Sequence, residues 1–254
     1  MERAPAAGAP RRRAAVAPRR VLRLPLAVNA HARRLLLLVP TPREAELLFG
    51  HAAHGLAAPR LATIAGRSVR LALCGFGLAA AGAAAGRWFA TVAPDAALLV
   101  GIAGSLDVER WPVGATLEAS HVACDGIGAG EGERYVTLRE PPLPSALVGD
   151  APLQPIPLKP RLADLAHGEL LSVAAAAGSR SHAQARRARH PKALAEEMEG
   201  YAVALAARLA KVPLTVLRGA SNEAGDRDHS GWKVAPALRA CRVAIERWVE
   251  GFPK

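Results

Sequence analysis

Glu197-Met198-Glu199-Gly200-Tyr201-Ala202, then Val212-Pro213-Leu214-Thr215-Val216-Leu217-Arg218-Gly219-Ala220-Ser221-Asn222, is the stretch on which the fold turns. Its first part reads as an acidic helix start running into the small and apolar residues Ala202, Val203, Leu205, Ala206 and Leu209. That spacing gives a helix with one buried face, and acids in the opening turn favour it through the macrodipole. The second part is a Pro-led β-branched run, read as a buried strand whose carboxyl end delivers Arg218, Ser221 and Asn222. In open α/β sheets that edge is where ligands bind. The pattern alone fits equally an ordinary helix–strand unit with a charged cap.

Working outward, strands alternate with helices. Leu35–Val39 is a short apolar strand, and a helix over Arg43–Ala53 turns Leu47 and Leu48 inward. Leu61–Ala65 and Ser68–Leu73 read as a hairpin around Gly66-Arg67. Leu78–Phe89 is an Ala/Gly-rich helix able to lie close to a sheet. Ala97–Gly101, Ala115–Ala123 and Leu170–Ala177 read as strands, Trp232–Trp248 as the C-terminal helix, and the Pro-rich residues 139–162 as a surface loop. Such alternation predicts a three-layer α/β/α sandwich with a central mixed sheet.

Composition bounds the rest. At 254 residues and 51% apolar content the chain can bury one α/β core. No apolar run approaches the roughly 18–20 residues of a membrane span. Cys74, Cys124 and Cys241 form no CxxC and no disulfide framework, in keeping with a reducing cytoplasm. His51 and His54 are the nearest thing to metal-ligand spacing, and no metal or organic cofactor is expected. The net charge of +11 is concentrated: residues 1–34 hold nine arginines against Glu2 alone, so +8 lies there and +3 on the other 220 residues. Residues 1–33 are expected to be a disordered Arg/Ala/Pro-rich tail and 34–254 the folded domain. An inert tail is the leading reading; a weak polyanion-binding arm and a targeting peptide are the alternatives.

The motifs add a resemblance. The Met-Glu-Gly helix start and the Val-Pro…Arg-x-x-Ser-Asn strand are similar to those of the purine-nucleoside phosphorylase and nucleosidase superfamily. So are the strand 35–39 with Pro40-Thr41-Pro42-Arg43-Glu44, the turn Cys74-Gly75-Phe76-Gly77, and Val100-Gly101-Ile102-Ala103-Gly104-Ser105-Leu106 with Val113-Gly114. They occur in the right order across residues 34–249. Asn222 in place of the usual Asp, the following Gly225-Asp226-Arg227-Asp228, Trp232, and Cys124–Glu131 most resemble the futalosine-hydrolysing branch, which serves menaquinone synthesis.

The resemblance implies a nucleosidase acting on a small-molecule nucleoside, with another purine nucleosidase, a purine-nucleoside phosphorylase, or an inactive nucleoside-binding domain with an RNA-binding tail as alternatives; it also implies a homodimer or larger, without membrane attachment and without nucleic-acid binding beyond the tail. It implies Glu199 as ribose anchor, although a helix-start carboxylate fits the bare pattern, and Met198 packed on the sugar, although a plain core residue fits as well. Glu44 falls on the family's water-activating acid, although a solvated helix acid fits the bare pattern. The turn bearing it is poor in backbone N–H groups because Pro40 and Pro42 lack them, which favours hydrolysis over phosphorolysis. Asn222 offers both a donor and an acceptor, which suits a 6-oxopurine, although Asn is also a common turn residue. Gly77, Ala103, Gly104, Glu197 and Ser221 complete the expected substrate-binding set. Arg227 is expected to meet a carboxylate on the 5′ substituent and Trp232 its ring; a surface ion pair and a core Trp fit as well. Residues 173–179 are nearly bare alanine where relatives carry a base-stacking aromatic, so Phe76 covers the base or the pocket is wide.

Overall fold

Five consecutive apolar residues, Leu35–Val39, form β1, and all are buried. Such a run needs cover on both faces, which a parallel sheet between helix layers supplies. β1 lies between β3 (Arg67–Leu73) and β4 (Ala96–Ser105), parallel to both. Leu36 and Leu38 join one core with α2 (Leu78–Val92) and α4 (Gly200–Ala210). Leu35, Leu37 and Val39 join the other with α1 (Pro42–Phe49) and α5 (Val234–Glu250). The expected three-layer α/β/α sandwich with a mixed sheet is what this alternation builds. The computed structural model describes residues 33–130, 134–137 and 155–253.

The other strands are β2 (Arg60–Ile64), β5 (Thr116–Asp125), β6 (Gly128–Ala129), β7 (Val136–Thr137), β8 (Ile156–Pro157), β9 (Ala166–Val173), β10 (Ala193–Glu197) and β11 (Leu214–Glu223). The main sheet runs β10-β9-β5-β11-β4-β1-β3-β2, with β8 on β5, while β6 and β7 pair separately. β10 also pairs antiparallel with β4, Ala195 opposite Ser105 and Glu196 opposite Gly104. That second pairing curls half of the sheet back on itself and brings the carboxyl ends of β4, β10 and β11 together. α3 (Arg180–Arg189) covers a third apolar cluster that includes Val173 and Ala183.

Several expectations are corrected. The acids of the opening stretch do not start a helix: Glu197 ends β10, and the first turn of α4 contains no acid. Glu197 serves that helix from outside, its carboxylate accepting the N–H groups of Glu199 (3.0 Å) and Gly200 (2.8 Å). The strand expected at Leu170–Ala177 starts at Ala166 and stops at Val173, leaving residues 174–179 as a loop. The first helix ends at Phe49 and passes into a 3₁₀ turn over Gly50–Ala53; Leu48 is buried but Leu47 only half-buried. The hairpin turns on Ala65-Gly66, both at positive φ (47° and 70°), rather than on Gly66-Arg67. Asp228 caps a short 3₁₀ turn, so the last helix begins at Val234 and not at Trp232. Of the supposed loop 139–162, residues 155–162 are described and are tied down. Ile156 pairs with Val122 of β5, and buried Glu118 accepts the N–H groups of Arg161 and Leu162, both at 2.8 Å. The expectations for the tail up to residue 32, for Glu131 and for the first part of that loop lie outside the described residues.

Candidate active site

At the carboxyl ends of β1, β4, β10 and β11 opens a cavity of about 430 Å³. Glu44, Ala103, Gly104, Glu197, Met198, Glu199, Ser221, Asn222 and Arg227 all line it. Gly77 does not, but its N–H donates to Glu199 Oε1 at 2.9 Å. A larger cavity, about 510 Å³, lies at the other ends of β4 and β11, around Leu158, Trp248 and Phe252. Its lining holds no carboxylate, whereas Glu44, Glu196, Glu197 and Glu199 all line the first.

Glu44 and Glu199 face that first cavity, with the buried Arg218 beside them. Glu44 stands in the first turn of α1, capped by Thr41, whose hydroxyl accepts the Glu44 N–H (3.2 Å) and donates to Glu44 Oε2 (2.6 Å). The other oxygen, Oε1, accepts the N–H of Ile102 at 3.0 Å. Glu44 is therefore no solvated helix acid: it is buried and aimed at β4. Glu199 lies at the start of α4 without capping it. Its Oε1 takes the Gly77 N–H, and its Oε2 takes a bond from Arg218 Nη2 at 3.1 Å.

Arg218 is the residue that the sequence reading named only in passing. It is fully buried in β11 and paired with Glu197 as well as Glu199. A cation inside a β-branched buried run was the available signal, since such a charge must be paired. Its Nη1 has no partner among the described residues. A Cβ built on Gly101 would overlap that Nη1 and stand 2.8 Å from Glu44 Oε1, so both groups press over the same bare Cα.

Glu197 spends its carboxylate on structure: besides the α4 N–H groups it binds Arg218 and the Ser172 hydroxyl. Burial would raise its pKa, but Arg218 and the Ser172 hydrogen bond bring it below the ordinary carboxylate range. For Glu199 burial wins. With Arg218 opposing and the Glu197 charge adding, its pKa is pushed up to about 7.

The opposite wall comes from the end of β11. Ser221 Oγ lies 2.7 Å from Asn222 Oδ1 and 3.3 Å from Ala103 O, and its single hydrogen favours the shorter bond. The Asn222 amide nitrogen donates to Glu223 O (2.8 Å) and Asp226 O (3.4 Å). Two backbone carbonyls thus fix which end of the amide is nitrogen. At the mouth, Arg227 sits 5.5 Å above the Trp232 ring, which also stacks on His229 at 4.3 Å. Trp232 Nε1 is buried without a partner among the described residues, and Phe76, 65% exposed, also lines the cavity. Among the described residues no group of three or more His, Cys, Asp or Glu could hold a metal ion, and no helix is long and apolar enough to cross a membrane.

Residues 34–249 match the family model of the phosphorylase superfamily. The chain belongs to that superfamily. Among curated relatives, futalosine hydrolase of Streptomyces coelicolor is 33% identical over 154 residues, 59% of this chain and 63% of that protein. Futalosine hydrolase of Acidothermus cellulolyticus is 33% identical over 159 residues, 58% and 62%. The chain thus spans a little over three fifths of the relatives it matches. Solved structures of other proteins share the fold. Futalosine hydrolase of Helicobacter pylori superposes with a TM-score of 0.66 at 16% identity, covering 87% of this chain and 98% of that one. A 5′-methylthioadenosine/S-adenosylhomocysteine nucleosidase from Colwellia psychrerythraea gives 0.66 at 18%, covering 87% and 96%.

Proposed function

We propose that the protein is a nucleosidase that hydrolyses the N-ribosyl bond of futalosine, releasing hypoxanthine and dehypoxanthine futalosine in menaquinone biosynthesis. The observation that carries this reading is the convergence of Glu44, Glu199 and the unpartnered Arg218 Nη1 at one buried point. Cleaving a ribosyl C–N bond passes through an oxocarbenium-like sugar. It needs an anchor for the ribose hydroxyls, a base to aim water at the anomeric carbon, and support for the leaving purine. Glu44, which lines the cavity, takes the proton of the attacking water as its oxygen bonds to the anomeric carbon. Glu199 accepts the ribose hydroxyls, and its carboxylate favours positive charge on the ring. Arg218 holds Glu199 in place, and Glu197 holds Arg218; both are positioning residues.

Asn222 takes the base. Its 3.4 Å bond to Asp226 O is the weaker of the two amide bonds, and giving it up frees one amide N–H for the purine, while Oδ1, which accepts from Ser221, keeps a second lone pair. A donor and an acceptor without a charge suit a 6-oxopurine, which leaves with its negative charge spread onto O6. Arg227 over Trp232, with the free indole N–H beside them, suits an aromatic carboxylate on the 5′ carbon. The 33% identity to two futalosine hydrolases supports the same substrate. The turn over Pro40, Thr41 and Pro42 gives little purchase for phosphate: two positions lack an N–H, and the Thr41 hydroxyl is committed to Glu44. Purified protein offered futalosine, inosine and 5′-methylthioadenosine separately tests the reading. Futalosine should have by far the highest kcat/KM; a preference for the 6-amino substrate would overturn the substrate assignment.

A further inference from the structure

Behind the alanine loop lies a buried ion cluster that the reaction above does not use. Arg186 of α3 is buried, and its nitrogens reach four partners: Nε goes to Asp125 Oδ2 (2.9 Å), Nη1 to Glu196 Oε2, and Nη2 to the Ala175 carbonyl (3.1 Å) and to His182 Nε2 (3.3 Å). Glu196 is buried too, and its other oxygen accepts the Ala177 N–H at 2.8 Å. Asp125 is completed by Arg189 (3.1 Å) and by His190 (3.3 Å). Burial would raise the Asp125 pKa, but the hydrogen bonds from His190 and Arg186 take it far below the ordinary range, so it stays ionised.

Residues 174–177 are four alanines in a row, with no side chain able to anchor or adjust the loop. Ala176 nonetheless lines the cavity, as does Glu196. The loop therefore meets a ligand only with methyl groups and main chain, and its main chain is fixed on either side of Ala176 by Arg186 and Glu196. Two hydrogen bonds at residues 175 and 177 bracket the one residue that forms the wall.

We propose that the Arg186–Glu196 pair is a positioning clamp that sets where the alanine wall stands, and so sets the fit of the purine in the cavity. The proposal rests on the reading of the cavity as a nucleoside site. Neither residue touches the anomeric carbon. Loosening the clamp should weaken ground-state binding of the base while leaving Glu44, Glu199 and Arg218 in register.

Steady-state kinetics on futalosine and calorimetric binding of free hypoxanthine test it, using the full chain and the variants Arg186→Lys, Arg186→Met and Glu196→Gln. Arg186→Met loses the Ala175 bond outright, and Glu196→Gln turns an amide N–H or an uncharged oxygen to Arg186 Nη1 and so unseats the pair; KM, and the Kd for hypoxanthine, should rise about tenfold in both. kcat at saturation should stay within about threefold, and Arg186→Lys should fall between wild type and Arg186→Met. Arg186→Met leaves two buried carboxylates short of a partner and is the variant most prone to misfold. Glu196→Gln, which keeps the Ala177 acceptor, carries the test if it does. Unchanged KM and Kd in a folded Glu196→Gln, or equal losses in kcat and kcat/KM, would overturn the clamp while leaving the nucleoside reading intact. A wild-type protein that neither binds hypoxanthine nor turns over a nucleoside overturns both.

Discussion

Replacing Gly101 with alanine should disable the site without removing any group that reacts. The new methyl would overlap Arg218 Nη1 and stand 2.8 Å from Glu44 Oε1 and 3.2 Å from Cδ of Pro40. Ordinary van der Waals contact begins near 3.4 Å, so Glu44 must retreat by roughly 0.6 Å and Arg218 by more. Neither has an easy path. Arg218 is fully buried and tied to Glu197 and Glu199, and Glu44 is held by Thr41 and Ile102. Misplacing positioned groups by about 1 Å costs on the order of 10²-fold in turnover. Overpacking of this kind costs about 1–3 kcal/mol of stability. For a chain of this size each kcal/mol lowers the melting temperature by roughly 2–4 °C. Gly86→Ala is the matched control: it lies inside α2 with nothing within 4 Å of the added Cβ. It should gain about 0.5–1 kcal/mol and leave turnover alone. Thermal melts and kcat/KM for both variants check this. Gly101→Ala with wild-type kcat/KM would refute the shared-point geometry of Arg218 and Glu44.

Other outcomes follow from the same geometry. Glu199→Gln should lower kcat by roughly 10²–10⁴-fold in steady-state assays while the melt stays cooperative, because a charge aimed at the transition state is lost. The raised Glu199 pKa gives a pH dependence of known sign. Below about 7 the carboxyl is protonated, above it is ionised, and ribose hydroxyls donate to the ionised form. KM should therefore fall as pH rises through about 7 and level off above it, and a flat KM profile from pH 5 to 9 would contradict the ribose-anchor role. Asn222→Asp puts an oxygen against the carbonyls of Glu223 and Asp226, which raises the pKa of the new carboxyl. Activity on the 6-oxo substrate should fall by about 1–3 kcal/mol, and relative activity on 6-amino nucleosides should rise at mildly acid pH, as kcat/KM for both across pH will record. Deleting residues 1–32, which carry most of the excess charge and no core pattern, should change neither melting temperature nor turnover.

Much of this molecule was legible in its sequence because burial leaves a plain mark there. Leu35–Val39 could only be a strand covered on both faces, and the β-branched run after Pro213 could only be another. The acids at 44, 197 and 199 were marked by the family resemblance, since the bare pattern fitted ordinary helix acids as well. What the sequence concealed is long-range pairing. Glu197 looked like a helix acid because its partners, Arg218 and Ser172, are 21 and 25 residues away in the chain. The antiparallel contact of β10 with β4 has no local signature, yet it is what carries the Glu197–Glu199 segment to the mouth of β4. The end of β9 was misplaced because alanine suits a strand as poorly as it marks a loop, and the clamp that fixes residues 175 and 177 sits on another helix.

The central claim is that water, not phosphate, takes the sugar. The direct measurement is release of hypoxanthine from futalosine in phosphate-free buffer, with the sugar product identified, repeated at millimolar phosphate and with Glu44→Gln. The account predicts the same rate with and without phosphate, dehypoxanthine futalosine as the sugar product in both, and a large loss in Glu44→Gln. Turnover that requires phosphate and yields a sugar 1-phosphate would contradict it.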